Sequence, residues 1–292
     1  MKTFRYLLEA IAIILAIGIF KLIPADKASA IGGAIARWIG PKLKVHHTAK
    51  KNLEMILPTS DHETILKGMW DNLGRTAIEF IYMPKLQGKA FDKRVTIHNQ
   101  DLFMSLLDEH KNQHRRIIFF SGHFANWEIC PKSSAHLGLP LALMYRRANN
   151  PYVDKLIQNA RKTYQVEAIS KSNSGLKQLI KSVKSNIPVG ILMDQKANEG
   201  ISVPFMGKPA MTAPAIATLA LKYNCLLVPV EVVRNPDQFS FTVTPYPPLE
   251  YTTSGDIEAD TLSILTQINH QLEEWVTKHP QQWFWVHKRW NI

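Results

Sequence analysis

Phe119-Phe120-Ser121-Gly122-His123-Phe124-Ala125-Asn126-Trp127-Glu128-Ile129 is the stretch on which the reading of the chain turns. Just upstream, Arg115-Arg116 lead into Ile117, Ile118, Phe119 and Phe120, a short apolar run of the kind that forms a buried strand. Ser121-Gly122 ends the run, His123 falls in the turn, and Asn126 stands where a helix would open. Side chains at the C-terminal end of a buried strand, just ahead of a helix, open into the crevice where α/β sheets hold their ligands. The stretch therefore predicts an α/β fold with its chemistry at His123.

Glu128 follows His123 by five residues. Inside one helix the two would stand roughly 140° apart, at about 3.6 residues per turn, and would hardly meet. With His123 in the turn and Glu128 in the first turn or two of the helix, the carboxylate can reach back to the imidazole. That arrangement supplies a general base and the group that orients it. The plainer reading is a half-buried turn histidine beside an unrelated helix-surface glutamate, and the spacing by itself fits both.

Outward from this point, strand-like and helical patterns alternate. Toward the N-terminus, Leu102 to Glu109 reads as a helix, Val95-Thr96-Ile97 as a short strand, and Thr48 to Met83 as helical, with Asp61 as a cap. Toward the C-terminus, a helix from Asn126 to Leu137 precedes a strand over 141–145, with Arg146 and Arg147 at its exit. A helix follows Asn150-Pro151, then a strand over 166–169, a helix capped by Ser174, and a strand over 187–193 that delivers Asp194-Gln195. Lys196 to Thr212, with two prolines and two glycines, reads as a loop over the site. A helix over 213–223, strands over 226–233 and 239–244, the latter antiparallel, and a long helix over 260–278 complete the pattern. Such alternation predicts a mostly parallel mixed sheet flanked by helices.

The N-terminus carries Lys2 and Arg5, then an apolar segment from Tyr6 to Ile23, interrupted by Glu9 and Lys21. Its length is at the low end for a spanning helix. Ala28-Ser29-Ala30 is a weak cleavage signal, so a retained anchor is expected rather than a signal peptide. Residues 30–43 are Gly/Ala-rich with Arg37 and Lys42, which suits a helix against an anionic surface; a buried helix hairpin is the plainer alternative. The expected division is an anchor and interfacial helix over 1–45 and one catalytic domain over 46–292.

Composition excludes several classes. The net charge of +11 points to an anionic partner. Zinc-finger spacing, RNP-like aromatics and a DNA-reading basic helix are all missing from the sequence, so nucleic acid is not expected. Two cysteines, Cys130 and Cys225, make no disulfide framework. No Gly-x-Ser-x-Gly elbow supports Ser121 as a nucleophile, and the eleven histidines are scattered without metal-ligand spacing.

The stretch from Ser121 to Glu128 resembles the His-x4-Asp/Glu motif of the glycerolipid acyltransferase superfamily, and its wording is most similar to the bacterial lipid A biosynthesis (lauroyl and myristoyl) acyltransferases. Met144-Tyr145-Arg146-Arg147 with Asn150-Pro151, Asp194-Gln195 with Val203-Pro204-Phe205-Met206-Gly207, and Gln282 through Trp290 agree with the same family in the same order. The resemblance implies an inner-membrane enzyme with its catalytic domain facing the cytoplasm. It would move a fatty acyl chain from acyl carrier protein to a hydroxyl of an anionic lipid A precursor, with no metal or organic cofactor. His123 and Glu128 would be catalytic; Arg146, Asp194, Gln195 and Asn126 would contact substrate, Arg146 by gripping a phosphate, while the plainer reading of Asp194, a carboxylate at the end of a buried strand, is a structural pair with an arginine or a loop amide. Arg147 departs from the family pattern as we read it. The alternatives are another acceptor (a lysophospholipid, ornithine lipid or glycolipid), acyl-CoA as donor, or a non-catalytic lipid-binding protein. Trp283, Trp285 and Trp290, with their basic neighbours, suit either a membrane boundary or packing back onto the sheet.

Overall fold

The run Ile117–Ser121 forms the strand it predicts, here β2, and all five of its residues are buried. A strand apolar on both faces belongs inside a parallel sheet covered by helices. β2 lies between β5 (Val189–Leu192) and β8 (Leu226–Arg234), parallel to both. Beyond β5 come β3 (Ala142–Tyr145) and β4 (Glu167–Ser170); beyond β8 come β9 (Phe241–Pro245) and β1 (Val95–Ile97). The seven-stranded order is β1-β9-β8-β2-β5-β3-β4, with the β8–β9 pair antiparallel, as expected for that strand. The remaining strands, β6 (Ile201–Phe205) and β7 (Lys208–Thr212), form a separate antiparallel hairpin. This computed structural model describes residues 2–237 and 239–290. The expected spans begin on Met1 and end on Ile292, which lie outside the described residues.

Eleven α-helices are present among the described residues. They are α1 (Lys2–Phe20), α2 (Ala25–Ile39), α3 (Lys44–Ile56), α4 (His62–Glu79), α5 (Lys89–Asp92), α6 (Gln100–Asn112), α7 (Ile129–His136), α8 (Pro151–Lys162), α9 (Asn173–Lys184), α10 (Ala215–Tyr223) and α11 (Ile257–Lys278). Their starts follow capping chemistry. Asp61 accepts from the Thr64 amide at 3.1 Å, Asn150 from Tyr152, and Asp256 from Glu258 and Ala259. α2 crosses α4 backbone to backbone: a Cβ on Gly74 would stand 2.2 Å from the Gly32 carbonyl oxygen, so only glycine fits there.

Several local expectations are corrected. The helical run from Thr48 to Met83 is two helices, α3 and α4, broken at Leu57–Asp61. Ser172, not Ser174, caps α9 by accepting from the Gly175 amide at 3.2 Å. Lys196 to Thr212 is largely the β6–β7 hairpin, whose tight turn uses Met206 and Gly207 at positive φ. The helix expected from Asn126 starts at Ile129, because Ala125 adopts φ +45° and residues 122–128 form an irregular loop.

The C-terminal tail packs back onto the body. Trp283, Trp285 and Trp290 are no more than 3% exposed and sit among Phe124, Phe205 and Trp275. They are core residues, and the membrane-boundary reading of these three tryptophans does not hold.

Candidate active site

β2 and β5 are neighbours in register, Ser121 opposite Leu192, so both strands end at the same level. Their exits carry His123 and Asp194. The His123 ring donates from Nδ1 to Asp194 Oδ1 at 2.7 Å, and the His123 amide donates to Oδ2 at 2.7 Å. Trp283 Nε1 donates to Oδ2 at 2.8 Å. Asp194 is fully buried, which by itself would raise its carboxyl; the His123 ring outweighs this and holds the group well below the usual carboxylate range. Gly122 is required beside this contact, since a Cβ there would meet the Phe124 ring at 2.6 Å.

On the other edge of the His123 ring, Gln195 Nε2 lies 3.1 Å from His123 Nε2 and 2.8 Å from His287 Nε2. An amide nitrogen has two hydrogens and no lone pair to offer, so it donates to both rings. Both imidazoles therefore present an Nε2 lone pair and carry their proton on Nδ1. Burial, and then the nearby His123 ring, push His287 down to about 4.

The loop that holds His123 is pinned from below. Asn72 and Thr76 of α4 donate to the Ala125 carbonyl at 3.1 and 2.8 Å, and the Ala125 amide donates to the Gln282 carbonyl at 3.0 Å. Asn126 is fully buried and donates to Glu79 Oε2 at 3.0 Å, inside a polar cluster with Arg234 and Ser29. Its expected substrate contact is thus corrected: Asn126 braces the loop.

Glu128 does not meet His123. Its carboxylate accepts from Arg161 Nε at 3.1 Å and Tyr164 Oη at 2.8 Å, and forms a close ion pair with Arg161 Nη2. The irregular loop explains the difference: with no helix at 126–128, Glu128 points toward α8 rather than back along the chain. The carboxylate on the imidazole is that of Asp194, 71 residues downstream. Local spacing gave no sign of Arg161, which is 7% exposed and lines the cleft wall.

The cleft itself has a volume of about 260 Å³. His123, Gln195, Arg146, Lys171 and Arg161 line it, with Trp127, Leu143, Ile191 and Leu192 on its inner wall. The same four apolar residues line a second cavity of about 50 Å³ directly behind. This one runs under the sheet past Phe119, Phe120 and Cys130 to Val230, Val243, Pro245 and Ile97. Its walls are almost wholly apolar, and burial pushes the Cys130 thiol up to about 12, so the cysteine stays a neutral wall residue. No group of three or more His, Cys, Asp or Glu suited to a metal occurs among the described residues.

An imidazole whose Nε2 lone pair faces the cleft, held there only by the Gln195 amide, at the junction of a cationic cleft and an apolar channel, suits a reaction that joins a polar acceptor to a greasy donor. Comparison with known proteins gives the same direction. The family model described as bacterial lipid A biosynthesis acyltransferase matches residues 1–291. The chain is 26% identical over 261 residues to lipid A biosynthesis acyltransferase 2 of Shigella flexneri, covering 87% of this chain and 80% of that protein. It is 25% identical over 187 residues to the lipid A biosynthesis myristoyltransferase of Escherichia coli (strain K12), 63% of this chain and 56% of that one. A lipid A biosynthesis acyltransferase of Haemophilus influenzae aligns over 283 residues at 22% identity, covering 92% and 85%. The chain is a member of the bacterial lipid A biosynthesis acyltransferase family.

Proposed function

We propose that the protein transfers a fatty acyl chain from acyl carrier protein to a hydroxyl of a lipid A precursor, at the cytoplasmic face of the inner membrane. The observation that carries the reading is the His123 ring: Asp194 holds Nδ1–H at 2.7 Å, and Nε2 is turned to a cleft that continues into an apolar cavity. Asp194 takes the orienting role first assigned to Glu128. Glu128 acts one step removed, by fixing Arg161 in the cleft wall.

In this reading the acceptor hydroxyl displaces the Gln195 amide from His123 Nε2. His123 takes the hydroxyl proton as the oxygen attacks the thioester carbonyl, and Asp194 stabilises the imidazolium that forms. The carbon–oxygen bond forms, the tetrahedral intermediate collapses, and the carbon–sulfur bond breaks. The imidazolium returns its proton to the leaving thiolate, so the base is regenerated. The displaced Gln195 amide, released beside the reacting atoms, is the donor we assign to the oxyanion. Arg146 and Lys171 give the cleft a positive field that suits a phosphorylated acceptor and an acidic carrier protein, while the Arg161 charge is met by Glu128. The apolar cavity behind, which must widen from its volume of about 50 Å³ to admit a chain, is the side on which the acyl group lies, at about 0.8 kcal/mol per buried methylene.

Mass spectrometry of lipid A with and without the gene tests this function. A lipid A lighter by one acyl chain in the null strain, restored by the wild-type gene, is the expected result. Unchanged lipid A, with a different acylated lipid missing, would move the reaction to another acceptor.

A further inference from the structure

α1 is fastened to the catalytic body at both of its ends. Near its start, Asn150 Nδ2, at the cap of α8, donates to the Tyr6 carbonyl at 2.8 Å and to Glu9 Oε2 at 3.1 Å. At its finish, Tyr82 Oη, just past α4, donates to the Phe20 carbonyl and to the Ile23 carbonyl at 3.0 Å. Between these straps the residues turned to the body are Tyr6, Ala10, Ile17 and Phe20, at steps of four, seven and three. On a helix these fall within about 80° of one another, a single stripe about 21 Å long. Phe4, Leu8, Ile11, Leu15 and Ile19 occupy the opposite side and are 44–67% exposed. On α2 the same division recurs: Gly32 and Gly33 face α4, while Ile31, Ile35, Trp38 and Ile39 are exposed.

A spanning helix leaves one end on each side of the bilayer, with only lipid or other spanning helices along its length. α1 instead touches the body along this one stripe and is tied to it at both ends. Standing it upright would drag α8, with the exposed Lys155 and Lys162, into hydrocarbon. We infer that α1 lies in the plane of the membrane surface, with both ends on the side of the catalytic domain and its apolar face pressed into one leaflet. The inference rests on the reading of the chain as a membrane enzyme and adds its pose. The occupant of the face is an anionic lipid surface, because cations fringe it: Lys2 and Lys21 at the ends of α1, Lys27 at the start of α2, and Lys42 stacked over Trp38 at 3.7 Å.

The test is labelling of single thiols with a membrane-impermeant maleimide in sealed, cytoplasmic-side-out vesicles bearing the full chain. Thr3→Cys reports the start of α1, Lys27→Cys its far end, and Glu258→Cys the catalytic body. The in-plane pose predicts equal labelling of all three without detergent. Protection of Thr3→Cys alone until detergent is added would mean a spanning helix and overturn the inference. Protection of all three together would keep the pose but reverse the cytoplasmic orientation of the proposed function. Ile11→Glu with Leu15→Glu is expected to cut co-sedimentation with phosphatidylglycerol vesicles about tenfold. Undiminished sedimentation, with a dimer converted to monomer, would assign the face to a second copy and overturn the lipid assignment.

Discussion

At the scale of single residues, the two candidate carboxylates separate by what they hold. Asp194 fixes the tautomer of the His123 ring, the base we propose, so Asp194→Asn should lower kcat by about 10²–10⁴-fold. The fold should largely survive, since the amide can still reach His123 and Trp283. Glu128 belongs to a buried ion pair with Arg161. Removing one partner of such a pair costs about 3–5 kcal/mol, because the other charge is left buried. Glu128→Gln should therefore show first as a lower melting temperature, and activity measured on the remaining folded protein should fall less than for Asp194→Asn. A loss of kcat in Glu128→Gln as large as that of Asp194→Asn, with unchanged melting, would return the orienting role to Glu128. His287 carries a pH dependence of its own. Its pKa of about 4 in the fold lies below the unfolded value of 6.5, so the unfolded chain binds the extra proton. Its contribution is intact above about pH 6.5 and is lost as pH falls toward 4, by up to about 3 kcal/mol. Denaturation midpoints across that window should slope less in His287→Asn than in the wild type.

At the scale of elements, the cavity behind the cleft crosses from β3 and β5 under β2 to β8, β9 and β1. Val243 lines it from β9, two strands along the sheet from β2, which carries His123 at its exit. Val243→Phe should shorten the preferred donor by about two methylenes, and discriminate against the longer chain by about 1.6 kcal/mol, or roughly 15-fold. Competition between acyl chains of different length, read by product mass, checks this. Unaltered chain preference in a folded variant would place the acyl chain elsewhere. The elements themselves were legible because each is a strong periodic signal. The all-apolar run at Ile117–Phe120 needs cover on both faces, and the caps Asp61 and Asn150 start their helices by a local bond. The hairpin at 201–212 was not, since Pro204 and Pro209 read as breakers; they are tolerated in an isolated two-stranded ribbon. The place of His123 in the turn after the core strand was legible, and the carboxylate beside its ring was not. A motif in the sequence ties His123 to a neighbour five residues away, whereas the contact is made by strand adjacency across 71 residues. The one available signal was that Asp194, like His123, leaves a core strand, where an unpaired carboxylate is costly.

At the scale of the whole molecule, sheet, tail and N-terminal helices converge on one edge. The tail supplies Trp283 to Asp194 and His287 to Gln195, so the last tenth of the chain completes the site. Its tryptophans looked like membrane anchors because aromatic-basic runs serve both purposes, and composition does not record which face is covered. The account depends on His123, held by Asp194, activating a hydroxyl against a thioester. The most direct test is acyl transfer by the purified protein, with acylated carrier protein and lipid A precursor as substrates, read by product mass. Wild type should add one acyl chain, His123→Ala should add none above background, and Asp194→Asn should retain no more than about one part in a hundred of the rate. Full-rate acylation by His123→Ala would contradict the account at its centre.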